Sequence, residues 1–252
     1  MFIKLCYFLR RLLPSSCYRF LTKLRFPENE IDYRKFFIAR HLLKAGGSAI
    51  DGGAHVGYFT RTLAAVMGGK GDVFCFEPNP YVFKLLNKFT RHEPHVHAMC
   101  CALSNQSNDG VIFSVVPHSL AMNSTLEVHQ QWAPRKSIFV RTMRLDELLD
   151  NGLNHVKLIK LDVEGHELKV LQGAESILSM FAPWVIFEFS HHKDFPGTLI
   201  IDYFHQKKYF CIDLNSLSPL DLKADIDLTD VLAIPMKDQN RGLKIIEALR
   251  YF

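Results

Sequence analysis

The 252-residue chain has no apolar run approaching the ~20 residues that a membrane-spanning helix needs. Its first residues, MFIKLCYFLRRLL, hold only the short apolar run Leu5–Leu9 before Arg10 and Arg11. The longer apolar core and small-residue cleavage site of a secretory leader are missing. The six cysteines (Cys6, Cys17, Cys75, Cys100, Cys101 and Cys211) form no C-x-x-C pair, so zinc-ribbon and dithiol redox patterns are excluded. Cys100 and Cys101 are adjacent, which rarely gives an ordinary disulfide, and a reducing, cytoplasmic setting is the simpler expectation. His95-x-His97 and His191-His192 lack further ligands at fixed spacing, so no metal is expected. Internal repeats, low-complexity tracts and interdomain linkers are also absent.

Acid is missing from one end. Lys4, Arg10, Arg11, Arg19, Lys23 and Arg25 precede the first carboxylate, Glu28, so the net charge of +4 belongs to the N-terminus and the remainder is net acidic. That distribution argues against a nucleic-acid groove across the fold. Residues 1–28 read as a basic helical extension. Residues 1–25 could lie on anionic lipid as a peripheral membrane contact, or cap the domain with solvated arginines. Residues 29–252 read as one domain. With 48% hydrophobic residues and 20 phenylalanines, they can bury a core without disulfides or a structural metal.

Within that domain the hydrophobic period alternates. Helices are expected at 31–45, 58–67, 81–91, 166–181, 198–207 and 243–249. Strands are expected at 48–51, 72–76, 96–103, 156–163, 184–189, 210–213 and 231–235. Alternation of this kind implies right-handed crossovers and a doubly wound, mostly parallel α/β sheet with helices on both faces. Residues 104–155 break the rhythm, with strands at 111–116 and 138–144 around the polar stretch His118–Arg135. This insertion, with Asn123, Ser124 and Trp132, suits a lid over an acceptor.

Four strand ends carry the chemistry. Ile50-Asp51-Gly52-Gly53-Ala54-His55-Val56-Gly57 joins a strand to a helix; its glycines let backbone approach a nucleotide-like ligand, and the helix start offers free amides. Asp51 suits an ammonium better than a phosphate, favouring an amino-acid-bearing cofactor over a dinucleotide. Glu77, followed by Pro78-Asn79-Pro80 and 20 residues beyond Gly57, is placed to accept ribose hydroxyls. The segment Lys160-Leu161-Asp162-Val163-Glu164-Gly165-His166-Glu167 sets Asp162 and Glu164 at a third strand end. Lys160 shares Asp162's side and requires a carboxylate partner, whereas Glu167 reads as structural, in a first helical turn. The next strand ends Phe187-Glu188-Phe189-Ser190-His191-His192. Glu188 and His191 join Asp162 and Glu164 as candidates for a base or an acceptor contact.

IDGGAHVGYFT, FEPNP and KLDVEGHELKVLQGA, in that order, resemble the FkbM-type methyltransferase family over about residues 45–190. The resemblance implies a Rossmann-like class I methyltransferase fold with a seven-stranded sheet ending in an antiparallel hairpin. It implies S-adenosyl-L-methionine as cofactor and O-methylation of a hydroxyl on a sugar, glycolipid or small metabolite. On that resemblance Asp51, Gly52, Gly53, His55 and Gly57 hold the methionine end. Glu77 and Pro78 border the ribose, Ala102 and Leu103 line the adenine before Ser104, and Asp162 sits by the reaction centre. Two departures are evident: His55 replaces the family's usual asparagine, and the adenine turn lacks an acid. The alternatives are a membrane-apposed binding module that keeps the fold without catalysis, and a nicotinamide-dependent oxidoreductase. The second needs glycine where His55 stands and gives KLDVEGHE no role.

Overall fold

The computed structural model describes residues 30–115, 136–191, 197–223 and 226–251. The basic extension, Asn123, Ser124, Trp132 and His192 lie outside the described residues.

Helix α1 (Glu30–Leu43) carries Glu30 and Asp32 in its first turn and Arg40 and His41 in its last, matching the helix dipole. It buries Ile38, Ala39, Leu42 and Leu43 as one stripe and ends ahead of two left-handed glycines, Gly46 and Gly47. β1 (Ser48–Gly52), α2 (Tyr58–Met67), β2 (Val73–Phe76), α3 (Pro80–Thr90) and β3 (Val96–Met99) follow as two parallel β-α-β crossover units. Asn79 starts α3 by accepting the Tyr81 amide, with Pro80 at the first helical position, where a missing N–H has no cost.

The strand expected through residue 103 instead stops at Met99. Cys100 and Cys101 turn the chain out of the sheet, and β4 (Ala102–Leu103) pairs in parallel with β7 (Thr142–Met143). Between them β5 (Val111–Val115) and β6 (Lys136–Val140) form an antiparallel hairpin. Phe113 and Val140 face Ala102 from that hairpin, so the insertion is rooted on the β4–β7 pair.

After a short helix α4 (Glu147–Asp150), β8 (Val156–Leu161) returns to the main sheet. The helix expected over 166–181 is two helices, α5 (Glu167–Gln172) and α6 (Glu175–Phe181). The break has a steric reason: a Cβ on Gly173 would stand 2.1 Å from the Ser104 carbonyl oxygen, so the helix bends where the β4 turn passes under it. β9 (Trp184–His191), α7 (Thr198–Gln206), β10 (Tyr209–Asp213), β11 (Ser218–Pro219), β12 (Ile226–Pro235) and α8 (Gln239–Leu249) complete the order.

The strand order is β11-β10-β12-β9-β8-β1-β2-β3. β3, β2, β1, β8 and β9 are parallel, and β12 is antiparallel to both β9 and β10. Seven strands therefore match the expected sheet, and the two-residue β11 adds an eighth at the edge. Pro219 in β11 has no N–H to offer a further strand, which suits an edge. Side-chain alternation divides the core. Ile50, Ile159, Val185 and Phe187 pack toward α5, α6 and α7, while Ala49, Leu158, Trp184 and Ile186 pack toward α1, α2 and α8. Among the described residues no helix is long and apolar enough to cross a membrane.

Candidate functional site

The groove opens at the carboxyl ends of β1, β2, β8 and β9 and the amino end of the antiparallel β12, where the strand order reverses around β1 and β8. Register fixes which side chains share a face. Asp51 pairs with Lys160 across β1 and β8, and Lys160 with Ile186 across β8 and β9. Two residues further on, Asp162 and Glu188 come level, and Glu188 stands directly opposite Asp230 of β12. Asp51 and Lys160 thus form a lower row, and Asp162, Glu188 and Asp230 an upper row, on the α1 side of the sheet.

Asp51 is completely buried. Thr60 donates to its Oδ2 at 2.6 Å, and the Lys160 ammonium stands 3.4 Å from Oδ1. The ammonium that Asp51 suits is therefore the one on Lys160, and the aspartate orders the turn from beneath. Lys160 also reaches Asp162 at 3.3 Å and donates to the Gly53 carbonyl at 3.1 Å. Burial opposes its charge, but the two carboxylates overcome this and leave the lysine more firmly protonated than usual. Lys160 holds the Asp162 carboxyl below the ordinary range, and this side chain is 44% exposed to the groove.

The glycines permit this closure. A Cβ on Gly53 (φ +72°) would lie 1.8 Å from the Asp162 carbonyl oxygen, so only glycine lets the β1 and β8 turns meet. A Cβ on Gly52 would lie 2.9 Å from a Leu161 methyl and 3.0 Å from a Leu103 methyl, which places Leu103 against the β1 turn. Ala102 and Leu103 are both buried, and Ser104 shares a 3.0 Å hydrogen bond with Nε2 of His166.

His55 adopts φ +51°, a left-handed backbone in which asparagine, aspartate and histidine are enriched. The position therefore accepts histidine where asparagine or glycine would serve. In this conformation the His55 amide donates to Glu77 Oε2 at 3.0 Å, while the Asn79 amide donates to Oε1 at 2.8 Å. Glu77 is 3% exposed, and burial raises its pKa to about 7 despite those amides. Each oxygen retains acceptor capacity for one hydroxyl of a vicinal pair. Pro78 follows, half-buried.

Glu164 lies on the exposed β8–α5 turn at φ +56°; partial burial and the charges of Asp162 and Glu167 raise its pKa to about 7. Glu167 is buried and accepts the Val163 and Gly165 amides at 3.1 and 3.4 Å, holding that turn as a structural acid. Glu188 is half-buried. Desolvation first, then Asp162, Glu164, Glu167 and Asp230, push it up to about 8. His191 does not join this row. Three residues beyond Glu188, it shares the opposite face with Phe189, whose ring stacks on it at 6.4 Å, and its Nδ1 accepts the Gly197 amide.

Three contributors escaped the sequence reading. Thr60 lies in the first turn of α2 and turns back to Asp51. Asp230 is brought in by the β12 register, and Lys35 of α1 pairs with Asp230 at 2.7 Å. A buried threonine in an otherwise apolar helix face was a readable signal; the other two depend on tertiary pairing.

A doubly wound sheet of this strand order, with acids closing β1, β2 and β8 around one groove, defines a Rossmann-like class I methyltransferase fold. A family model described as Methyltransferase FkbM domain matches residues 51–211, and the chain belongs to that family. It is similar to the hexuronic acid methyltransferase AglP of Haloferax volcanii, 35% identical over 130 residues that cover 51% of this chain and 50% of the relative. The chain thus matches about half the length of that curated relative. Among solved structures it is similar to a methyltransferase FkbM from Methylobacillus flagellatus (18% identity, 74% of this chain and 43% of that chain, TM-score 0.48). It is also similar to Aeropyrum pernix fibrillarin with natively bound S-adenosyl-L-methionine (12% identity, 75% and 66%, TM-score 0.45).

Proposed function

We propose that the chain uses S-adenosyl-L-methionine to O-methylate a hydroxyl of a sugar, glycolipid or small metabolite. The observation that carries this reading is the upper row of carboxylates beside Glu77. The residues fit the cofactor's chemistry: Glu77 accepts ribose hydroxyls, and Asp162, open to the groove, faces a cationic group. A pyrophosphate would meet Asp162, Glu164 and Glu188 instead of cations, which disfavours a dinucleotide. The left-handed His55 keeps its amide on Glu77, so this departure from the family pattern leaves the ribose contact intact. The comparisons support neither the oxidoreductase nor the inactive module. The AglP similarity supports a sugar acceptor, with a hexuronic acid as the first compound to try.

The bound cofactor supplies an electrophilic methyl group on a sulfonium, and the chain's residues supply position and proton removal. Lys160 weakens Asp162 as a base by stabilising its charged form. Glu188, in the same row and titrating near 8, accepts the hydroxyl proton better. Methyl transfer to a panel of uronic and neutral sugars, read as S-adenosylhomocysteine formation, should rise with pH through about 8 as Glu188 ionises. Glu188→Gln should lose about 10²–10⁴-fold of that rate and the associated limb, with cofactor affinity essentially kept. An unchanged rate would remove Glu188 from the chemistry.

The same reading takes residues 1–25 as a peripheral contact that brings the enzyme to membrane-borne acceptors. Sedimentation with anionic vesicles should retain the full chain and release one lacking these residues at moderate salt. Equal retention of both would count against the contact.

A further inference from the structure

Glu188 and Asp230 stand directly opposite each other on two antiparallel strands. Such partners have Cβ atoms about 5 Å apart, and two like charges in this arrangement destabilise the sheet. The rungs on one side of it, Val231 with Phe187 and Leu232 with Ile186, are apolar and buried, and the rung on the other side pairs Thr229 with Phe189, neither of them charged. The acid pair is therefore an exception at the groove, and one cation is aimed at it. Lys35, in the second turn of α1, places its ammonium 2.7 Å from Asp230 Oδ2, with side-chain exposures of 13% and 22%.

We propose that Lys35 and Asp230 are positioning residues that set how tightly Glu188 holds its proton. The inference rests on Glu188 being the proton acceptor. Asp230 places a negative charge across the strand pair, and Lys35 limits it by neutralising Asp230 from the helix above. The other charged groups around Glu188 are Asp162 and Glu164 on the β8–α5 turn and Glu167 on α5, all of which act against ionisation. Lys160 on β8 pairs with Asp162, and His55 on the β1–α2 turn adds positive influence there. Lys35 also acts favourably on the Asp162 carboxylate, which places it over the groove and not only over Asp230. Residues 35 and 230 lie outside the matched family segment, so this control comes from the flanks of the domain.

The two residues act in opposite directions, and the test uses that. Carboxyl-carbon NMR of the full chain labelled at glutamate side chains reads the Glu188 titration directly, with its resonance identified by its loss in Glu188→Gln. Asp230→Asn removes a negative charge and should lower the Glu188 midpoint by about one pH unit. Lys35→Met strengthens the Asp230 charge and should raise the midpoint by a smaller step, and Lys35→Arg should restore the wild-type value. A structural role alone would leave the midpoint of each folded variant in place. Unmoved midpoints, or a shift of both in the same direction, overturn the proposal. Should Asp230→Asn fail to fold, the Lys35→Met and Lys35→Arg pair decides alone: an upward step restored by arginine supports the coupling, and no step refutes it. Opposed shifts alongside full methyl transfer by Glu188→Gln would refute Glu188 as the base while leaving the coupling standing.

Discussion

Lys160→Met is expected to lower stability by about 3–5 kcal/mol, because it strands the Asp51 carboxylate in a buried site with only Thr60 for support. In a domain of this size that corresponds to a fall in melting temperature of roughly 10 °C. The loss should shrink in acid, where a proton can replace the missing ammonium. Lys160→Met combined with Asp51→Asn should cost less than the sum of the single changes, as expected for two groups in one network. Thermal melts of the four proteins at neutral and acid pH measure all of this. A shift below about 2 °C for Lys160→Met would mean that the lysine's three contacts carry little of the closure between the β1 and β8 turns.

The second large effect belongs to Glu77. Glu77→Ala should weaken S-adenosyl-L-methionine and S-adenosylhomocysteine alike by about 10²–10³-fold, as expected on losing two hydrogen bonds to a charged group. Calorimetric titration reads the change, and NAD serves as the control that neither protein should bind. Wild-type affinity should also depend on pH. If the carboxylate form accepts the ribose hydroxyls, affinity falls about tenfold per unit below about pH 7, where Glu77 takes up a proton. Stability of the free protein runs the other way. The folded-state pKa lies above the unfolded value of about 4.3, so the contribution of Glu77 is complete below that value and is lost as pH rises through about 7. Cofactor affinity unchanged in Glu77→Ala would move the ribose away from β2 and undercut the whole assignment.

How much of this was legible in the sequence depends on the distance over which each signal acts. The β1 turn, the β2 acid and the β8 end are local patterns in which glycines and acids terminate apolar strands, and they fall where expected. Lys160 was legible as needing a partner, but its bridging of two carboxylates was not, because Asp51 reaches it through a parallel register separated by more than 100 residues. Glu188 was expected at the end of a strand closing at Phe189, whereas β9 continues to His191 and leaves Glu188 three residues inside it. His191 was grouped with it by proximity in sequence, yet three residues along a strand reverse the face. Two breaks escaped hydrophobic periodicity: the chain leaves the main sheet after Met99 to pair β4 with β7, and the helix breaks at Gly173, where a Cβ would meet the Ser104 carbonyl oxygen.

The place of β12 has a consequence for how the protein comes into being. Although it follows β9, β10 and β11 in the chain, this strand lies between β9 and β10, not at the margin of the sheet. During synthesis β9 is therefore left with an open edge, and β10 with no neighbour on its inner side, until residues 226–235 emerge. Open edges of this kind invite pairing with other chains. The same late insertion delivers Asp230 to Glu188 and to Lys35, which was made nearly 200 residues earlier. A nascent chain thus holds the β1 and β2 turns well before the Glu188–Asp230 wall, and the groove becomes complete only when that insertion closes the sheet.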